Sequence, residues 1–221
     1  MEHTESRFQS NPSANRRDPR LYHIASLGTL LAYGLFWLHF DLSLWQIAVT
    51  IGTALLTQYA GTRYAKLPFF DPKSALISSL SLCILLRTDH LAIAALASVV
   101  AIGSKFVFRW NDKHLFNPTN LALAIALASG MGWISPGQWG QVAWFGFLIA
   151  CLGSLVVTRA ARADVTFAFL AVYVSLLFAR ALWLGDPLTI PFHQIESGAL
   201  LIFAFFMISD PKTTPDSRIG R

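Results

Sequence analysis

The stretch Leu115-Phe116-Asn117-Pro118-Thr119-Asn120-Leu121-Ala122-Leu123-Ala124 sets a polar Asn-Pro corner in apolar surroundings, directly ahead of an Ala/Leu run. An Asn side chain accepts a hydrogen bond from an unpaired N–H in a first helical turn. Proline at the first helical position gives up an N–H that had no partner there. The corner therefore predicts a helix starting at Pro118 with Asn117 as its cap. Two more corners share the pattern: Phe70-Asp71-Pro72-Lys73-Ser74-Ala75-Leu76, and Ser209-Asp210-Pro211-Lys212-Thr213-Thr214-Pro215. Six of the ten prolines follow Asp or Asn, so the apolar runs between these corners set the fold.

Of the 221 residues, 54% are apolar and only 13% charged, where a soluble domain carries about 25% charged residues. These values predict an all-α polytopic membrane protein. Cys83 and Cys151 lie in apolar runs without CxxC spacing, which suggests neither a disulfide framework nor a zinc site. No His pair has ligand spacing, so no metal is expected. Despite the net charge of +5, no basic patch interleaves with aromatics, and a nucleic-acid partner is not expected. The charges flank apolar runs, where they set membrane orientation.

Runs of span character are Tyr22–His39, Leu44–Tyr59, Leu91–Phe108, Gln141–Val157, Val165–Leu184 and Phe192–Ile208. Ala75–Leu86 and Pro118–Gly130 are shorter. At 1.5 Å per residue they reach about 18–20 Å, against a hydrocarbon core of about 30 Å. About eight transmembrane helices follow, two of them short or broken. With the N-terminus inside, only Arg87 and Arg180 of the 17 Lys and Arg fall outside, as the positive-inside rule requires. Residues 1–20 read as a cytoplasmic tail, 21–209 as the membrane domain and 210–221 as a second cytoplasmic tail. A half-length helix leaves its positive N-terminal end near the interface, where it can hold an anionic group. Arg180 and Glu196 are candidates for an ion pair between helices, Asp164 for an N-cap, and the tryptophans for an interfacial belt.

Three blocks carry a family resemblance. They are Ser74-Ala75-Leu76-Ile77-Ser78-Ser79-Leu80, Lys113-His114-Leu115-Phe116-Asn117-Pro118, and Phe205-Phe206-Met207-Ile208-Ser209-Asp210-Pro211-Lys212-Thr213-Thr214-Pro215 followed by Gly220-Arg221. Over residues 22–221 the chain resembles the Rnf D/Nqr B family. That family comprises the D-type membrane component of the Rnf electron-transport complex and the B-type component of the sodium-pumping NADH:quinone oxidoreductase. The resemblance implies a bacterial cytoplasmic (inner) membrane protein within a redox-driven cation pump, two inverted halves similar to urea transporters, and partners among the other membrane subunits. It also implies about two more helices, so the chain is expected to be a shortened relative, or one completed by another subunit or a second copy. Family members carry FMN on the Thr of a Ser-Gly-Ala-Thr motif after the Asn-Pro helix. Here Ser129-Gly130-Met131-Gly132 stands instead, and no Thr occurs between Thr119 and Thr158. No covalent FMN is expected; a non-covalent flavin, FMN or riboflavin, stays open.

The corners give the candidate cofactor-binding residues: Asp71, Lys73, His114, Asn117, Thr119, Asp210, Thr213 and Thr214. No catalytic residue can be named, because Ser-His-Asp order, P-loop and GxGxxG are all absent from the sequence. Three functions remain open: a membrane subunit of an oxidoreductase complex, itself not necessarily catalytic; a small-solute channel or carrier; and a non-redox assembly subunit.

Overall fold

The computed structural model describes residues 18–110, 113–135, 143–217 and 220. The polar stretch before Asp18 and most of the 132–140 loop lie outside the described residues. The fold is mostly helical. The helices are α1 (Pro19–Phe36), α2 (Leu44–Tyr64), α3 (Lys73–Leu85), α4 (Leu91–Val107), α5 (Pro118–Ala128), α6 (Ala143–Arg159), α7 (Ala163–Leu184), α8 (Thr189–Ile195) and α9 (Gly198–Ile202). A π-helical turn, Phe203–Met207, prolongs α9. A two-stranded hairpin, β1 (Arg109–Trp110) with β2 (Lys113–His114), links α4 to α5.

Helices α1 to α6 run alternately up and down. One cavity collects the starts of α1, α3 and α5 (Pro19, Ser74, Pro118) and residues toward the ends of α2, α4 and α6 (Gln58, Lys105, Arg159). At the opposite end, Arg87 after α3 and Trp133 after α5 form a backbone bridge. The main core, centred on Leu27, Leu30, Leu82, Ile84, Ile149 and Ile202, is buried between α1, α3, α6 and α9. Gly153 lets α6 lie close against the π turn, since a Cβ there would sit 2.5 Å from the Cβ of Phe205.

Among the described residues one helix, α7, is by itself long and apolar enough to cross a membrane. Most of its surface is uncovered, with Phe167, Val172, Leu176, Leu182 and Trp183 exposed. The run expected as one last span, Phe192–Ile208, is broken: α8 and the Gly198–Met207 segment meet at a 49° bend. Its polar hinge, Glu196-Ser197-Gly198, explains the break, since Ser197 and Gly198 are weak helix formers. The expected Arg180–Glu196 pair does not form. Arg180 faces Asp186 at 3.5 Å, and Glu196 faces His193 at 3.6 Å within its own turn. Helix α7 starts after Arg162 rather than on an Asp164 cap. Helix α1 begins at Pro19, so the first 20 residues are not all tail. The final segment is packed rather than loose, with Thr214 only 8% exposed.

The two short helices end in different ways. At the start of α5, Asn117 caps as expected, its Oδ1 accepting from Asn120 N. Helix α3 begins one residue later than the corner suggests. Pro72 stands at the cap position, and Asp71 accepts from Lys73 N at 3.1 Å. At the far end of α3, the buried Arg87 guanidinium donates to the carbonyls of Cys83, Leu86 and Ile84 at 2.9, 2.9 and 3.3 Å. It also lies 5.1 Å over the Phe40 ring. Terminal helix carbonyls lack intrahelical donors, and a buried one left unpaired costs about 1–3 kcal/mol. Arg87→Met should therefore lower unfolding stability by at least about 2 kcal/mol, measured by denaturant titration in detergent. Lys at this position should recover only part, having no planar fork.

Candidate functional site

The three corners meet. Asn117 Nδ2 donates to the carbonyl of Met207 at 3.0 Å, joining the second corner to the third. His114 N–H donates to Lys212 O at 3.0 Å, and Lys113 Nζ reaches Thr214 O at 2.6 Å and Asp216 Oδ1 at 2.8 Å. Thr119 Oγ1 donates to Ser78 O at 3.4 Å, joining the second corner to the first. Lys105, 5% exposed, donates to the carbonyl and hydroxyl of Ser74 at 2.9 and 3.0 Å.

Between these contacts lies a cavity of about 640 Å³, within the range of small-molecule sites, about 300–1,000 Å³. Apolar groups such as Ile77, Phe106, Val156 and Phe206 line one side. The charged lining comprises Arg20, Lys105, Arg109, Arg159 and Lys212 against Asp18, Asp71 and Asp210. Three buried polar atoms of the wall have no hydrogen-bond partner among the described residues: His23 Nε2, Gln58 Oε1 and His114 Nδ1. Buried polar groups are nearly always paired, and an orphan calls for an explanation. Here the three atoms are closed off behind the cavity wall, each with less than 1 Å² of accessible area.

Of the eight expected site residues, Asp71, His114, Asn117, Thr119 and Asp210 line the cavity. Lys73 does not line it; it bonds Asp18 at 2.9 Å. Thr213 and Thr214 close the Asp210 turn by donating to its carbonyl, and the Thr214 hydroxyl also accepts from Arg162. These two threonines hold the third corner in shape and are turned away from a ligand. Asn117 is likewise committed on both sides of its amide. His23, Gln58 and Lys105 were not expected from the corners. All three stand within a few residues of the end of an apolar run, so they carry no signal in the sequence beyond that of ordinary flanking polar groups. Gln58 also belongs to a buried polar line on α2 with Gln46, Thr50 and Thr62, at spacings of four and eight residues.

Burial, together with Lys105, Arg109 and Lys212 nearby, lowers His114 to about 4, so it is neutral at pH 7. Burial raises Asp210, against the opposing pull of the Lys212 N–H, Lys105 and Lys113. Arg20 and Lys73 hydrogen bonds hold Asp18 well below the usual carboxylate range. Asp71 is also lowered: burial acts the other way, and the Arg20 and Lys73 contacts outweigh it.

The sequence position where the resemblance expects a flavin-bearing Thr lies outside the lining of this cavity. Ser129 stands at the far end of α5, about 18 Å from Asn117 at helical rise. Its hydroxyl donates to Ala126 O, and no Thr follows before Thr158. No family model matches the chain, and no curated protein matches it.

The Asp18 network has a testable sign. A depressed folded pKa gives stabilisation that is present above the ordinary value of about 3.8–3.9 and lost as pH falls below it. Asp18→Asn keeps a capping oxygen and removes the charge. At pH 7 it should cost at most about 1 kcal/mol, because the network is half-exposed. The unfolding midpoints of variant and wild type should stay apart down to about pH 4 and begin to converge only below it.

Proposed function

We infer that the protein is a polytopic membrane subunit of the Rnf D/Nqr B type, with about eight crossings in a bacterial cytoplasmic membrane. In this reading it serves a redox-driven, cation-translocating complex and holds a flavin, FMN or riboflavin, non-covalently in the cavity at the corners. One observation carries the reading. The three family-like blocks, far apart in sequence, touch one another and build one cavity. The positive-inside count puts that cavity on the cytoplasmic side, with both chain ends.

A flavin would bring reversible electron transfer; the chain's own groups would bind and orient it. His23, Gln58 and His114 belong to the cavity's lining. Asn117, Thr119 and the Asp210 turn hold the wall in place. The apolar groups Ile77, Phe106 and Phe206 would cover a planar ring and keep water away.

A second reading, a small-solute channel, draws on the polar line Gln46-Thr50-Gln58-Thr62 of α2. That line leads from the cavity toward the opposite end of the bundle. Part of the line has an alternative use, since Thr62 Oγ1 donates to Gln58 O within α2, and Ser98 Oγ donates to the Thr50 carbonyl and ties α4 to α2. Small polar residues are a normal means of packing membrane helices.

Purified protein should show flavin absorbance that passes entirely to the supernatant on acid precipitation. Protein expressed in a flavin-replete host and purified without any flavin would sink the redox-subunit reading. Flavin retained on the precipitated chain would contradict non-covalent binding. Solute flux in liposomes without redox partners would favour the channel.

A further inference from the structure

Helix α2 is turned inside out relative to a helix on the surface of a soluble protein. Its buried line is polar: Gln46, Thr50, Gln58 and Thr62. Its outward side is apolar, with Trp45, Leu56 and Tyr59 exposed. A surface helix in water hides its apolar stripe, whereas polar side chains in a membrane turn to the bundle interior. From Trp45 to Arg63 the helix rises about 27 Å, close to a hydrocarbon core of about 30 Å. The arrangement suits a helix whose outer face meets hydrocarbon.

The far end of that face changes character. Leu56, Tyr59 and Arg63 follow one another at helical spacing and are all exposed, so one stripe runs from apolar to basic. Beyond it Tyr64, Lys66 and Phe69 are exposed as well, and no acidic residue occurs from Gly61 to Phe70. Among the described residues neither Arg63 nor Lys66 has an ion-pair partner. Lys66 also takes the left-handed position of the helix cap, with φ 51°. There Leu67 N donates to Thr62 O at 3.0 Å and Lys66 N to Arg63 O at 3.2 Å. Glycine is the usual residue at that position, so a lysine stands there against the local backbone preference.

We propose that the outer face of α2 and the α2–α3 loop bind an anionic phospholipid, its acyl chains along Leu56 and Tyr59 and its headgroup phosphate held by Arg63 and Lys66. Tyr64, with an apolar ring and a polar hydroxyl, suits the level of the headgroups. Two cations without an acidic neighbour favour a headgroup of net negative charge. A zwitterionic headgroup brings a cation of its own and gains less. The proposal rests on the membrane reading given above and does not require a flavin.

The test follows the unfolding midpoint of the full chain in neutral detergent, titrated with phosphatidylglycerol or with phosphatidylcholine of the same acyl chains. Phosphatidylglycerol should raise the midpoint saturably, and phosphatidylcholine should need about tenfold more lipid for the same rise. Arg63→Gln and Lys66→Gln should each raise the half-saturating phosphatidylglycerol concentration about fivefold. Arg180→Gln, near the far end of α7, should match wild type. Lys66→Gly should weaken phosphatidylglycerol binding as much as Lys66→Gln, yet keep or raise the lipid-free midpoint. A lysine with a merely structural role would lower it. Equal responses to the two lipids overturn the proposal and leave the membrane reading intact. A phosphatidylglycerol response unchanged in the Arg63 and Lys66 variants also overturns it, and assigns those cations to an acidic partner protein. A chain that stays soluble and monodisperse without detergent or lipid overturns the proposal and the membrane reading together.

Discussion

A helix that stops inside an apolar layer leaves its last backbone groups with no water to bind, and this constraint organises the molecule. Each such end needs a partner from elsewhere in the chain. The π turn Phe203–Met207 is the clearest case. Thr166 donates to Ala204 O at 2.7 Å, Ser209 to Phe205 O at 2.8 Å, and Asn117 to Met207 O at 3.0 Å. Three side chains, two of them from distant helices, thus close the carbonyls at one irregular turn. Arg87 does the same for the end of α3. These contacts tie α5 and α7 to the final segment in a way that apolar packing does not, because hydrogen bonds are directional and a buried carbonyl left unpaired is costly.

The same demand separates the frame of the site from its free groups. Asn117, Thr213 and Thr214 are among the residues that the corner motifs select, and all three are occupied in holding the corners. The unoccupied groups sit apart from the capping residues, on α1, α2 and β2: His23, Gln58 and His114. A recurring corner therefore marks where a site is built. What fills the site is set by side chains facing it from neighbouring elements.

This division explains what was legible in the sequence. Asn117-Pro118 announced the start of α5 because cap and proline chemistry are local. Long apolar runs announced α1, α2, α4, α6 and α7 for the same reason, to within a few residues. The hinge in the last run was hidden, because Ser197-Gly198 weighs little in a composition window. The Arg180–Glu196 pairing failed because it assumed two straight helices side by side; the bend gives each residue a nearer partner. Lys105 reads in the sequence as a span-end cation, and only the packing of α4 against α3 puts it under Ser74. Site residues that depend on tertiary neighbours left no local trace.

Charge placement joins these threads. Alternating helices bring the basic ends of α4 and α6 beside the N-terminal ends of α1, α3 and α5. Side-chain cations and helix dipoles thus reinforce one another at one end of the bundle instead of cancelling. Part of that potential is neutralised locally: Asp18 and Asp71 pair with Arg20, and Asp216 binds Lys113 and Arg162. Those carboxylates belong to the rim and the final segment. None lies within hydrogen-bonding distance of Lys105 at the cavity's floor. Asp210 and Asp71 also act on the buried Lys105 through space, so the charges at this end of the bundle offset one another in part without direct contact.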